Sequence, residues 1–113
     1  SAWQSKFDIL LHSVSNLIGF CYAFQCGDSS WTHQDYMDYS AIVYFNSPNN
    51  WDLRKWGGET LYWNDDLDFV RACTMPKGGA ASLFRGDIFH KVTMPSWESE
   101  FGRYAATFFF DKK

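Results

Sequence analysis

The sequence predicts an all-β fold preceded by a short N-terminal helix, and three observations carry the prediction. Aromatic residues make up 20% of the 113 residues, eleven Phe, six Trp and six Tyr, and such bulky side chains favour pleated, half-buried faces. Beyond residue 17 the apolar residues gather in short runs cut by Gly, Asn, Asp and Pro, the punctuation of strands and turns. The intervals between runs are too short for the crossover helices that parallel strands need, so the sheets are expected to be largely antiparallel.

The helix comes first, over residues 3–14: Trp3, Phe7, Leu10, Leu11 and Val14 recur at spacings of three and four and lay one apolar stripe along it. After Ser15-Asn16 the pattern changes to strand-like runs at 17–26, 39–46, 59–63, 69–75, 80–85, 88–93 and 103–110. Seven or eight strands at this spacing suit two packed sheets, and a jelly roll, or double-stranded β-helix, fits them best. Gly57-Gly58 and Gly78-Gly79 lack the spacing of phosphate-binding loops and read as turns or bulges. The longest stretch without strand pattern, residues 47–57, carries Trp51 and Trp56 on backbone rich in Asn and Pro, and reads as a lid loop. Those indoles, with Trp63 and Trp97, are candidates for a substrate groove or for plugs of the core.

At this length and with 46% apolar residues the chain has material for one core and is expected to form one domain, 1–113. Ten Lys+Arg against thirteen Asp+Glu leave a net charge of −3. No run of basic residues gathers, so the electrostatic footprint of a nucleic-acid or anionic-membrane binder is missing. No apolar stretch approaches the roughly 20 residues of a membrane span, and the N-terminus lacks the charged-then-apolar layout of a signal peptide, so a soluble chain is expected. Cys21, Cys26 and Cys73 are too few and odd in number for a disulfide scaffold. A spacing of five puts Cys21 and Cys26 on opposite faces of a strand, which favours free thiols over zinc ligands.

Chemistry concentrates in four places. His33-Gln34-Asp35 puts an imidazole and a carboxylate on one face of an extended segment. His90 alternates with apolar partners in Ile88-Phe89-His90-Lys91-Val92 and points inward from a strand that can lie beside the first. Two neutral imidazoles and one carboxylate leave coordination positions open, the facial arrangement of non-haem Fe(II) oxygenases. The bland alternative is a chance His-x-Asp and a core histidine bonded to backbone. Arg103 opens the strand Arg103-Tyr104-Ala105-Ala106-Thr107-Phe108-Phe109-Phe110 and shares a face with Ala105, Thr107 and Phe109. A guanidinium on an apolar inner face needs an anion, and its planar fork suits a carboxylate; otherwise it pairs with a structural Asp or snorkels at the strand's start. Tyr44 shares a face with Ser40 and Ile42 and can add a hydroxyl to the same anion, unless it only packs.

These residues stand in a recognisable order: His33-x-Asp35, the Tyr39 to Asn46 strand, Gly57-Gly58-Glu59-Thr60-Leu61-Tyr62, Pro76 with Gly78-Gly79 and Leu83-Phe84, His90-x-Val92, and Arg103-Tyr104-Ala105-x-Thr107. The order resembles the prolyl-hydroxylase-like 2-oxoglutarate and Fe(II)-dependent oxygenases, prolyl 4-hydroxylases among them, from about residue 17 to 111. Cys21-Tyr22 and Asp38 to Ile42 look closest to the leprecan-type prolyl 3-hydroxylases, whereas Arg103 to Asp111 is more similar to the oxygen-sensing prolyl hydroxylases. The resemblance implies iron held by His33, Asp35 and His90, and 2-oxoglutarate chelating that iron with its far carboxylate on Arg103 and Tyr44. Thr60 and Thr107 fall at pocket-lining positions of the motif. It further implies O2 as cosubstrate, ascorbate as a candidate reductant, and oxidative decarboxylation to succinate and CO2 coupled to hydroxylation of an unactivated C–H.

The interval from His90 to Arg103, with Met94-Pro95-Ser96-Trp97, is longer than in the oxygen sensors, which points to a hairpin remodelled near substrate. About sixteen residues precede the first strand run, where family members carry supporting helices, so a trimmed or minimal catalytic core is expected. A prolyl residue in a peptide or protein is the substrate the resemblance favours. Two rivals stand beside it: a 2-oxoglutarate enzyme acting on a free amino acid or other small molecule, and a jelly roll that holds peptide or sugar without catalysis.

Overall fold

Residues 14–46, 51–100 and 102–113 are described by a computed structural model. Seven strands follow in chain order: β1 Val14–Phe24, β2 Tyr39–Tyr44, β3 Thr60–Trp63, β4 Val70–Thr74, β5 Ala81–Arg85, β6 His90–Val92 and β7 Arg103–Lys112. They form a larger sheet in the order β1-β7-β2-β5 and a smaller one in the order β4-β3-β6. Every strand pairing among the described residues is antiparallel. From β4 onward the chain alternates between the two sheets, the winding of a jelly roll. Each predicted strand run overlaps one of these strands, although β1 begins earlier than its run, at Val14, and β7 ends later, at Lys112.

The helix expected over 3–14 lies outside the described residues except for Val14, which is the first residue of β1. Nor do Ser15 and Asn16 break the chain. They sit inside β1, where the register against β7 shifts between Ser15 and Ile18 and Asn16 adopts φ 54°. Asn tolerates that left-handed conformation, and a bulge absorbs the extra residue without ending the strand. No helix among the described residues is long and apolar enough to cross a membrane.

The alternation predicted for β2 is seen directly: Ser40, Ile42 and Tyr44 are buried and the residues between them less so. From β3, Thr60 and Tyr62 point into the same interior, as do Arg103, Ala105 and Thr107 of β7. The core gathers Ile42, Tyr44, Tyr62, Phe84 and Ala105, with Tyr62 set edge-on to Phe84 at 5.0 Å between ring centres. Its polar atoms are bonded to one another. Tyr44 Oη lies 3.0 Å from Thr60 Oγ1 and 2.9 Å from Thr74 Oγ1, and Tyr62 Oη lies 3.1 Å from Thr74 Oγ1 and 2.9 Å from Ser82 Oγ. These contacts let hydroxyls enter an apolar interior without the cost of an unmade bond.

Within the segment expected to be a lid, Trp51 is packed while residues 53–55 are exposed. Residues 47–50 lie outside the described part, but Trp51 is only 5% exposed. It donates Nε1–H to Gly57 O at 3.1 Å and meets Trp56 edge-on at 5.3 Å. Gly58, at φ 78°, makes the packing possible: a Cβ there would stand 3.0 Å from Arg103 Cδ and 3.2 Å from Trp51 Cζ2. Burial of a large indole outweighs the loop-like composition around it. Trp97, by contrast, is 80% exposed.

Candidate active site

His33 is held by a strand-like bridge to the end of β6. His33 N donates to His90 O at 3.0 Å and His90 N to His33 O at 2.9 Å, and Val92 N donates to Ser30 Oγ at 2.9 Å. Directly opposed residues of an antiparallel pair put their side chains on one face, and the two imidazoles stand with centres 4.3 Å apart. Asp35 follows on the same edge, its N–H donating to Gly86 O at 2.8 Å, while Gly86 N donates to Asp38 O at 2.8 Å. Gly86 is indispensable to this clasp, because a Cβ would fall 1.9 Å from Met37 O.

The three side chains converge. Asp35 Oδ1 lies 3.5 Å from His33 Nε2 and Oδ2 lies 3.4 Å from His90 Nε2, and one donor atom from each falls within 4.8 Å of the others. Each imidazole turns Nδ1 to a main-chain carbonyl, His33 to Trp31 O at 2.5 Å and His90 to Ile88 O at 2.9 Å. A carbonyl only accepts, so Nδ1 carries the proton and a neutral ring leaves the Nε2 lone pair facing the carboxylate. Two bare nitrogens and an anionic oxygen in mutual contact repel one another unless a cation or a proton sits among them.

The electrostatics agree. The hydrogen bond to Asp35 raises the His33 pKa above its ordinary value, with help from the Trp31 carbonyl and against partial burial. Burial pushes the Asp35 carboxyl upward, yet hydrogen bonds from His33 and Ser40 outweigh it and leave the value lowered. Desolvation lowers the His90 pKa and keeps that ring neutral. Such a donor set can hold a metal ion with positions left open, and mixed nitrogen and oxygen ligation of this kind suits divalent iron.

Arg103 is wholly buried at the start of β7. It donates from Nε to Gly58 O at 2.6 Å, from Nη1 to Tyr22 Oη at 3.4 Å and from Nη2 to Thr60 Oγ1 at 3.3 Å. The rings of Tyr44, Phe24 and Tyr22 lie 5.1, 5.8 and 5.9 Å from the guanidinium carbon. Among the described residues no carboxylate pairs with it. A buried cation held only by neutral oxygens and ring faces is fitted to receive an anion. Tyr44 turns its ring to the guanidinium and gives its hydroxyl to Thr60 and Thr74, so it backs Arg103 through Thr60.

A cavity of about 230 Å3 opens between the sheets, bounded by His33, Asp35 and His90 on one side and by Ile42, Phe84 and Thr107 on others. Thr107 lines the cavity, and Thr60 accepts a hydrogen bond from Arg103 Nη2. Three aromatic residues of β1, Phe20, Tyr22 and Phe24, complete the wall. The sequence reading assigned them no role, although Phe20-Cys21-Tyr22-Ala23-Phe24 carries a period-two aromatic signal. Ser40 and Gly86 were also missed. A small hydroxyl in register with Ile42 and Tyr44 was the available sign for Ser40.

Residues 19–111 match the family model described as the 2OG-Fe(II) oxygenase superfamily. No curated protein matches. Among solved structures the chain is similar to a Pseudomonas putida prolyl-4-hydroxylase, with a TM-score of 0.69 and 19% identity over 97% of this chain and 62% of that one. At that identity the likeness is one of fold, and this chain spans less than two thirds of that relative's length. The family match begins inside β1, runs through both sheets and ends inside β7, and on that ground the chain belongs to the 2OG-Fe(II) oxygenase superfamily.

Proposed function

We propose that the chain is the catalytic core of an Fe(II)- and 2-oxoglutarate-dependent dioxygenase, one domain over residues 1–113, that hydroxylates a prolyl residue of a peptide or protein. The observation that carries the reading is Arg103, a buried cation that no carboxylate pairs with among the described residues, in the same interior as a convergent His33, Asp35 and His90.

In this reading His33 Nε2, His90 Nε2 and the Asp35 carboxylate hold the iron, which when bound supplies the redox chemistry that couples 2-oxoglutarate oxidation by O2 to C–H hydroxylation. The remaining work belongs to the chain. Trp31 O and Ile88 O fix the tautomer and orientation of the two imidazoles. Arg103 grips the far carboxylate of 2-oxoglutarate, and the Tyr22 and Thr60 hydroxyls, already at its Nη atoms, keep the fork in place. Ile42, Phe84 and the aromatic row of β1 keep bulk water from the reacting groups. The prolyl assignment is supported by the order of motifs and by the aromatic and aliphatic side chains, Phe20, Tyr22, Phe24, Ile42 and Phe84 among them, that line the cavity beside His33, Asp35 and His90, a surface suited to an uncharged ring.

The test is turnover of 2-oxoglutarate to succinate with Fe(II), ascorbate and a panel of proline-containing peptides, each peptide then weighed for one added oxygen atom. Peptide-dependent succinate with that mass gain is expected. Succinate formation stimulated by a free amino acid and by none of the peptides would overturn the prolyl assignment.

A further inference from the structure

We infer that Ser40 is a positioning residue for the candidate metal centre, holding the Asp35 carboxylate in the one orientation that presents Oδ1 to the ion. This rests on the reading that His33, Asp35 and His90 bind a metal. Ser40 Oγ donates to Asp35 Oδ2 at 2.5 Å, the short range of a hydroxyl bonded to an ionised carboxylate. The serine is wholly buried in the middle of the larger sheet, opposite Phe84 of β5 on one side and Phe109 of β7 on the other. It shares its face with Ile42 and Tyr44.

That position is one where packing alone would place an apolar side chain. A buried hydroxyl without a partner is costly, so the residue is compatible with its site only because Asp35 comes to meet it. The two residues arrive there from different directions. Asp35 is fixed through its own N–H on Gly86 O, whereas Ser40 is fixed by strand pairing on both sides. The hydroxyl therefore ties a side chain outside the strands to an inner strand of the larger sheet. With Oδ2 engaged by Ser40, a carboxylate rotation about its last torsion would break that hydrogen bond. The consequence for a metal is a pre-set, singly coordinating ligand in place of one that must be ordered when the ion binds.

The readout is metal affinity, measured by titrating the isolated protein with Co(II) and following its visible absorption, which reports both occupancy and coordination number. Ser40→Ala is expected to raise the Co(II) dissociation constant about 10- to 100-fold and to shift the cobalt band, while metal-free circular dichroism stays that of the wild type. Ser40→Thr, which keeps the hydroxyl, is expected to restore both affinity and band. Ser40→Cys, close to serine in size with a thiol that is only a weak donor, serves if the alanine variant does not fold. Cobalt binding lost in Asp35→Ala but unchanged in affinity and spectrum in Ser40→Ala overturns the role of Ser40 alone. Cobalt binding retained in Asp35→Ala overturns the metal reading and this inference with it.

Discussion

Replacing Arg103 with methionine separates what the arginine does for the fold from what it does for an anion. In the protein without ligand, the guanidinium is wholly buried and has neutral partners, one main-chain oxygen and two hydroxyls. Taking that charge out of water costs several kcal/mol even after relaxation, and Arg103→Met removes this cost. Against it stands the loss of the donor to Gly58 O, about 1–3 kcal/mol. Met follows the same path past Gly58 and is flexible enough to fill it. The unliganded variant is therefore expected to unfold no more than about 1 kcal/mol below wild type, or about 4 °C in Tm, and an increase is allowed. Affinity for 2-oxoglutarate should behave oppositely. Loss of charge-assisted hydrogen bonds worth about 1.5–3 kcal/mol raises the dissociation constant about 10- to 150-fold. Calorimetric titration with Mn(II) bound measures the second effect and thermal unfolding of the ligand-free protein the first. Equal 2-oxoglutarate affinity in the two proteins would refute the reasoning, and Arg103 would then be a structural residue only.

Further outcomes follow from the same geometry. His33 has a raised pKa in the folded protein through Asp35, so the stability it contributes is complete below its unfolded pKa of about 6.5 and fades as pH rises through the folded value. Asp35, with a lowered pKa, contributes above its unfolded value near 3.9 and loses that contribution as pH falls through its folded one. Metal must displace the His33 proton, so Co(II) affinity is expected to begin falling on acidification while pH is still above about 6.5; an affinity constant from pH 8 to 5.5 would contradict this. Gly86→Ala places a Cβ 1.9 Å from Met37 O and should cost about 1–3 kcal/mol or more in urea unfolding, with weaker metal binding because the turn carrying Asp35 moves. Trp51→Ala should cost about 3–5 kcal/mol and weaken 2-oxoglutarate binding by freeing the Arg103 stem; a loss under about 1 kcal/mol would restore the lid reading of this segment.

The strands were legible as short apolar runs between turn residues, and β2, β3 and β6 also alternate on the period of the pleat. Ser40, Ile42 and Tyr44, or Arg103, Ala105 and Thr107, announce an inner face without any knowledge of partners, and the convergence of His33, Asp35 and His90 follows once their segments are neighbours. Less could be read where long-range packing decides. Trp51 sits in a stretch whose composition says loop, and only the notch at Gly58 beside Arg103 shows where the indole goes. Asn16 reads as a stop, but pairing along β7 carries β1 through it. Ser40 gave a faint signal because a buried serine has meaning only through the carboxylate it meets.

The hydroxyls in the core have a consequence for how the cavity behaves electrically. Thr60, Tyr44, Thr74, Tyr62 and Ser82 link Arg103 on the larger sheet to β5 at that sheet's far edge, by way of the smaller sheet. Each group has one hydrogen and can point it either way along the file. The fixed positive charge favours oxygen lone pairs towards itself and hydrogens away, so the dipoles align in one sense from Thr60 to Ser82. An anion settling on Arg103 weakens that bias, and the file is then free to turn part of its polarity back towards the newcomer. The interior between the sheets is thus a polarisable medium joined to Arg103, and a break at Thr74, two bonds removed from the guanidinium's nearest hydroxyl, would be felt as a change in how readily that guanidinium accepts negative charge.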